Sequence, residues 1–359
     1  MRSVSERNQS APHPPDRIGQ RGQEVLRALV TTFLDRGEPI GSRTLSRSLP
    51  FGWSAATIRN TMADLEGMGY VSQPHASAGR VPTDMGYRFY VDRLLELAPL
   101  SRNAAHEIDE VLRLADQGME VLLLNVSHVL SGLSQNLALV VGPSLSQLTL
   151  RHLELVRLQR GRYLVLLVAE SGVTQQKVIV LDEDLDPEQL QAISRYLCEQ
   201  FRGLSLAEIR RRLVEALAED QRHHDQIKRS ALRLGAISFD EEPTASLFVE
   251  GAGSLVTQPE FADPAIAGEL LRAIEHKAQL VRILDACLTA EGFQVKIGTE
   301  IESPGMERCS VVSAAYGQAG RVLGSVAVLG PTRMQYAQVI SLVSSLARGI
   351  SLVLEEQRG

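Results

Sequence analysis

The sequence predicts an α+β protein in which a helical N-terminal head precedes a larger mixed body. Three observations carry this. Up to about Leu95 the apolar residues recur at helical spacing, broken once by a Gly-punctuated hairpin. From Leu137 to Leu181, and again from Val295 to Leu329, the chain runs in short β-rich stretches separated by Gly and Pro. A long, mainly helical interval divides the two groups of strands, and the simplest topology is one α+β domain with a second module inserted in it.

Bulk numbers agree with a multidomain chain. Its 359 residues are too many for one core. Hydrophobic content of 44% and charged content of 22% are ordinary for a globular protein, and 4% aromatics leave an aliphatic core. Cys198, Cys287 and Cys309 lie far apart with no metal-ligand spacing, so a reducing cytoplasm is the expected compartment and no metal or other cofactor is expected. The longest apolar runs are of the kind seen in Tyr163 to Ala169, so no membrane span is expected. Residues 1–19 lack an apolar signal region and read as a flexible tail. The net charge of −6 argues against a nucleic-acid binder until its distribution is considered. Met1 to Arg93 holds twelve Arg against nine Asp plus Glu, a balance of plus three, which leaves minus nine for the rest. That head contains no lysine, and arginine suits bidentate contacts to guanine or phosphate.

In the head, a first helix is predicted over Gln20 to Arg36 with an apolar stripe of Leu26, Leu29, Val30, Phe33 and Leu34, closed by Gly37. Glu38, Pro39 and Ile40 turn the chain, and Ser42 is expected to cap a second helix that buries Leu45 and Leu49. Pro50, Phe51 and Gly52 make the next turn, Trp53 reads as a packing residue, and Ser54 caps a third helix. There Ile58, Met62, Leu65 and Met68 recur at steps of four, three and three and share one face. The opposite face carries Ala56, Arg59, Asn60 and Ala63: small residues that allow close approach to a groove floor, with Arg and Asn matching guanine and adenine edges. Ser72 to Val81 reads as a wing that brings His75 and Arg80 within reach of phosphate. Thr83 then caps a helix whose Tyr87, Phe89 and Tyr90 are expected to pack on the first helix rather than stack on bases, and Pro99 ends the unit. Two helices, a turn and a hairpin in that order are the plan of a winged helix-turn-helix DNA reader. A helical cap with a surface hairpin is the structural alternative.

The segments GEPIGSRTLS, SAATIRN, MADLE, QPHASAGRVPT and GYRFYVD, with VEGAGSLVTQPEF from Val249 to Phe261, resemble the HrcA family of bacterial heat-inducible transcription repressors. The resemblance covers nearly the whole chain after about Arg21 and departs from the family's pattern at Gly253 and Ser254. It implies a GAF-like α+β domain split by an inserted dimerisation domain, a homodimer on an inverted-repeat operator in double-stranded DNA, and help from the GroE chaperonin. The expected division is 20–98 for the winged helix-turn-helix domain, 99–203 and 291–359 for the two parts of the GAF-like domain, and 204–290 for the insert.

In the body, Ser101 to Leu133 carries a heptad-like stripe interrupted at Gly118, expected to pack within the chain rather than against a second copy. Leu137 to Val141, Leu148 to Leu158, Tyr163 to Ala169 and Val173 to Leu181 are expected to form one antiparallel sheet. Asp186 with Pro187 starts a helix, and Ser205 with Glu208 makes a capping box for a charged one. In that charged helix the cations alternate with Glu and Asp, which favours a solvated face, and His223 and His224 point to different sides without a third ligand. After further strands, Tyr336 to Leu354 forms a final amphipathic helix. No nucleophile elbow, phosphate loop, zinc helix or dinucleotide fingerprint occurs, so no catalytic residue is expected. Arg59 and Asn60 are expected to read bases and Ala56 to touch a thymine methyl. Ser42, Arg43, Ser54 and Thr57 are expected at phosphates, and His75, Ser77 and Arg80 in the wing. A repressor whose GAF-like domain senses a small effector is the alternative function.

Overall fold

The computed structural model describes residues 18–356 apart from 77, 144–148, 171–172, 182–183, 207, 210, 214–245, 286–291 and 319. The head begins with α1 (Gln20–Arg36), whose buried Val25, Leu26, Leu29, Val30 and Leu34 follow the expected stripe. Gly37, at φ 73°, ends it in the left-handed conformation that glycine adopts without strain. Next come α2 (Ser42–Ser48) and α3 (Ala55–Gly67). The cap of α2 is Gly41, with no side-chain bond, so the expected Ser42 cap is corrected: Ser42 is already the first helical residue. A two-stranded antiparallel ribbon follows, β1 (Val71–Ser72) and β2 (Val81–Pro82), and Ile40 extends it by exchanging two 2.9 Å backbone bonds with Arg80. Gly79 lies so close to the Ile40 backbone that no side chain fits there.

Thr83 caps α4 (Asp84–Phe89), accepting from the Gly86 amide at 3.1 Å, and the helix widens into a π turn over Tyr90–Leu94. Its aromatics are spent on packing, as expected: Phe89 sits edge-on to Tyr70 at 5.4 Å, while Tyr87 meets Tyr336 at 6.0 Å. The Ser101–Leu133 run is two helices, α5 (Arg102–Leu112) and α6 (Met119–Ser134), separated by a 3₁₀ turn and by Gly118 at φ 106°. Both bury their apolar faces within the chain.

The body is a five-stranded antiparallel sheet of β3 (Leu137–Val141), β7 (Leu247–Glu250), β8 (Phe293–Ile297), β9 (Cys309–Gln318) and β10 (Arg321–Pro331), in the order β7-β3-β10-β9-β8. Alternation along the strands serves two layers. Ala138, Val140, Val312, Val326 and Val328 pack under α5, α6 and the last helix, α11 (Tyr336–Glu356). Leu137, Leu139, Val311, Ala327 and Leu329 pack against α8 (Ala252–Val256), α9 (Pro264–Glu275) and α10 (Lys277–Asp285). Among the described residues α11 is the one helix long and apolar enough to cross a membrane by length and composition, a property the sequence reading did not single out. It is instead a core helix, with Val339, Ile340, Val343, Leu346 and Ile350 buried on the sheet.

One further expectation is corrected. The strand runs after Leu137 do not form one sheet: β4 (Leu150–Gln159), β5 (Arg162–Ala169) and β6 (Thr174–Val180) make a separate three-stranded sheet covered by α7 (Pro187–Phe201), whereas β3 joins the larger sheet. In sequence this module lies between β3 and β7. These two strands pair directly, and the Gly142 amide donates to the Ser246 carbonyl at 2.7 Å. Leu206, Ile209 and Leu213 fall in the same buried cluster as Leu150 to Phe201. The charged stretch with Arg210, Arg222, His223, His224, Lys228 and Arg229 lies outside the described residues.

One cluster of buried side chains runs from Ile18 through α1, α3 and α4 to Leu354 of α11. Polar bonds lock the same seam. Arg88 donates to Glu300 Oε1 (2.9 Å), Asp92 Oδ1 (3.3 Å) and the Val295 carbonyl (2.6 Å). The Thr299 amide donates to Asp84 at 3.2 Å, and Arg333 bridges Glu260 (2.5 Å) to the Leu34 carbonyl (3.0 Å). Burial opposes the Arg88 charge, but the Glu300 and Asp92 carboxylates outweigh it and raise its pKa. Replacing Arg88 with Met removes its bonds to both carboxylates and to the Val295 carbonyl, and is expected to cost about 2–3 kcal/mol in urea unfolding. In the parent protein the Trp53 fluorescence and far-ultraviolet transitions are expected to coincide; in Arg88→Met they separate.

Candidate nucleic-acid interface

The turn Pro50–Phe51–Gly52, with Gly52 at φ 61°, delivers the chain to Ser54 in extended conformation. Ser54 Oγ accepts from the Thr57 amide at 3.1 Å and lies 2.9 Å from Thr57 Oγ1, so the expected cap forms and joins both hydroxyls. From there α3 runs with Ile58, Met62 and Leu65 buried and Met68 half-buried against the head's core. Ala56, Arg59, Asn60 and Ala63 are exposed on the other side. The 3.6-residue period produces this division from sequence alone.

Cations divide the same way. Arg27 faces Glu24, Arg80 pairs with Glu66, and Arg88 is locked in the seam. Arg43, Arg47 and Arg59 are exposed and make no ion pair among the described residues. Arg43 and Arg47 stand four apart on α2, hence on one face of it. Arg47 was not among the expected contacts, although its spacing from Arg43 signalled it.

The expected wing residues fare differently. His75 is exposed at the tip, and the Gln73 amide nitrogen holds the loop by donating to the Ala76 and Ala78 carbonyls at 3.0 and 2.9 Å. Ser77 lies outside the described residues. Arg80 is half-buried at the base, with Nε and Nη2 donating to Glu66 Oε2 at 3.2 and 2.7 Å, so its guanidinium ties the ribbon to α3. Sequence reading missed Glu66 because the pair spans fourteen residues and no local spacing reports it. Ser42 is half-buried. One more feature was unforeseen: Phe51 and Trp53 stack with ring centroids 4.7 Å apart, and the Arg21 guanidinium lies 5.7 Å from the Trp53 ring. In the body, a cleft of about 840 Å³ mixes Arg272, His276, Arg282 and Lys296 with Glu269, Glu302 and Glu307. That balance selects no single ligand class.

An exposed helix face bearing Arg and Asn, beside a ribbon and arginines that make no ion pair among the described residues, on a body with the chain's acidic excess, is the arrangement expected of a transcription regulator. The HrcA protein C-terminal domain matches residues 120–340. The heat-inducible transcription repressor HrcA of Geobacter sulfurreducens is 38% identical over 338 residues, covering 94% of this chain and 98% of that protein. The repressor of the same name from Brevibacillus brevis is 32% identical over 340 residues, covering 95% and 99%. A crystal structure of a hypothetical protein, 22% identical, has the same fold with a TM-score of 0.59 over 95% of this chain and 100% of its own. The chain belongs to the HrcA family of heat-inducible transcription repressors.

Removing the Ser54 hydroxyl orphans the Thr57 amide at the start of α3. Ser54→Ala is expected to lower stability by about 1 kcal/mol in chemical denaturation, the usual scale for a lost N-cap.

Proposed function

We propose that the head is a winged helix-turn-helix reader and that the protein represses as a homodimer, setting two copies of α3 into successive major-groove faces of an inverted-repeat operator. The exposed side of α3 carries this reading: the Arg59 and Asn60 side chains make no hydrogen bond or ion pair among the described residues, so their donors and acceptors are available to bases. In this reading Ala56 meets a thymine methyl, while Ser42, Arg43, Ser54 and Thr57 hold phosphates. His75 and Ser77 serve the wing. Arg80 acts through Glu66, fixing the angle of the wing against α3.

The body is read as a GAF-like domain and the β4–β6 module with α7 as the dimerisation insert. Support for the second assignment comes from the face of its sheet turned away from α7. Val156, Leu164 and Val178 stand in direct register across all three strands, and Leu158 and Val180 beside them are 52% and 67% exposed. A continuous apolar row of this kind suits a self-complementary contact. By family resemblance, the operator precedes chaperonin and chaperone operons, GroE chaperonin assists the repressor, and heat relieves repression.

Arg59→Ala is expected to cost about 1–3 kcal/mol of operator binding in a gel-shift titration, the scale of one lost bidentate base contact. Unchanged affinity would remove Arg59 from the reading surface. Val178→Asp places a charge in the apolar row and is expected to sediment as a folded monomer; an unaltered dimer would move the contact elsewhere.

A further inference from the structure

The turn before α3 presents an arrangement that neither the buried face nor the reading face requires. Phe51 is 50% exposed and lies nearly parallel to Trp53, at 22° between ring planes, while Arg21 from the start of α1 stands over the Trp53 ring. A packing aromatic would be covered; this one keeps half its surface in water. Arg21 is exposed and makes no ion pair among the described residues, so the stack spends nothing of its charge. A guanidinium held over an indole loses side-chain freedom but keeps its donors, which suits it to bind a phosphate in a fixed place. Arg43, Arg47 and Arg59 make the neighbouring surface cationic, and the stack adjoins the Ser54 cap.

Resting on the DNA reading above, we infer that Arg21, Trp53 and Phe51 form a second, sequence-independent contact with the duplex. Trp53 is the positioning residue, Arg21 pairs with a backbone phosphate flanking the bases read by α3, and the outer face of Phe51 lies against the adjoining deoxyribose. The contact supplies register and strength rather than base choice, because sugar and phosphate carry no sequence. It also supplements the small positive balance of the head.

The test uses the full chain, a labelled duplex selected by the wild-type protein from a random-sequence pool, and a scrambled duplex. Trp53 is the only tryptophan, so its emission reports this site alone, and it is expected to change when either duplex is added. Arg21→Gln is expected to weaken binding to both duplexes by a similar factor, and to make the plot of log affinity against log salt shallower by about 0.9, the loss of one phosphate contact. Arg21→Lys keeps the charge without the planar face and restores only part of the affinity. In a Trp53→Leu background Arg21→Gln loses most of its effect, and Phe51→Ala, which leaves both partners in place, weakens both duplexes without altering the salt slope. Unchanged affinity and slope in Arg21→Gln, with Arg59→Ala still defective, would overturn the inference and leave the reading helix intact. A wild-type protein that selects no duplex would overturn the DNA reading itself.

Discussion

Arg88 is where head and body become one structure. Its guanidinium sits on α4, at the foot of the head, and spends its donors on Glu300, Asp92 and the carbonyl of Val295 in β8. Taking a charge out of water is expensive, and only this saturation with acceptors makes it tolerable. The apolar core runs straight past it from α1 to α11, so neither half can move without exposing aliphatic surface and unpairing the guanidinium. Arg333 repeats the device on the other flank, between Glu260 and the end of α1. The direction in which α3 faces is therefore set by the body, and any symmetric pairing of two bodies fixes the separation of two copies of α3.

The head's arginines divide between two tasks. Those whose neighbours are carboxylates, Arg27, Arg80 and Arg88, are consumed in holding the fold. Those on α2, on the open side of α3 and at the start of α1 meet no carboxylate among the described residues and stay exposed. A net count of charge hides this, because the acidic residues of the head cancel the first group and leave the second facing water. At the seam the Tyr87 hydroxyl and one Glu260 oxygen are buried without a hydrogen-bond partner among the described residues, and burial raises the Tyr87 pKa.

The module of β4–β6 and α7 follows a different economy. It enters and leaves the five-stranded sheet at one point, where Gly142 meets Ser246, so the parent sheet is interrupted in sequence but not in space. It has its own core beneath α7, with the Tyr163 hydroxyl accepting from the Leu185 amide at 2.8 Å. Its outer face carries the apolar row of Val156, Leu164 and Val178.

What the sequence determined by itself is local. Residues a few positions apart set the stripe of α1, the caps at Ser54 and Thr83, the two faces of α3 and the hairpins from β4 to β6, because helix and hairpin bonds close over short spans. The family motifs, which are also local strings, carried the identity of the head. Tertiary structure alone decided which strands share a sheet: β3 reads like its neighbours in sequence, yet burial on both faces sends it to the interior of the larger sheet, between β7 and β10. It decided, too, that Arg80 anchors the wing, that Gly41 rather than Ser42 caps α2, and that Arg88 finds Glu300 across 212 residues of chain. Ion pairs and strand edges are satisfied by whatever the folded backbone brings near, and no spacing along the chain records that proximity.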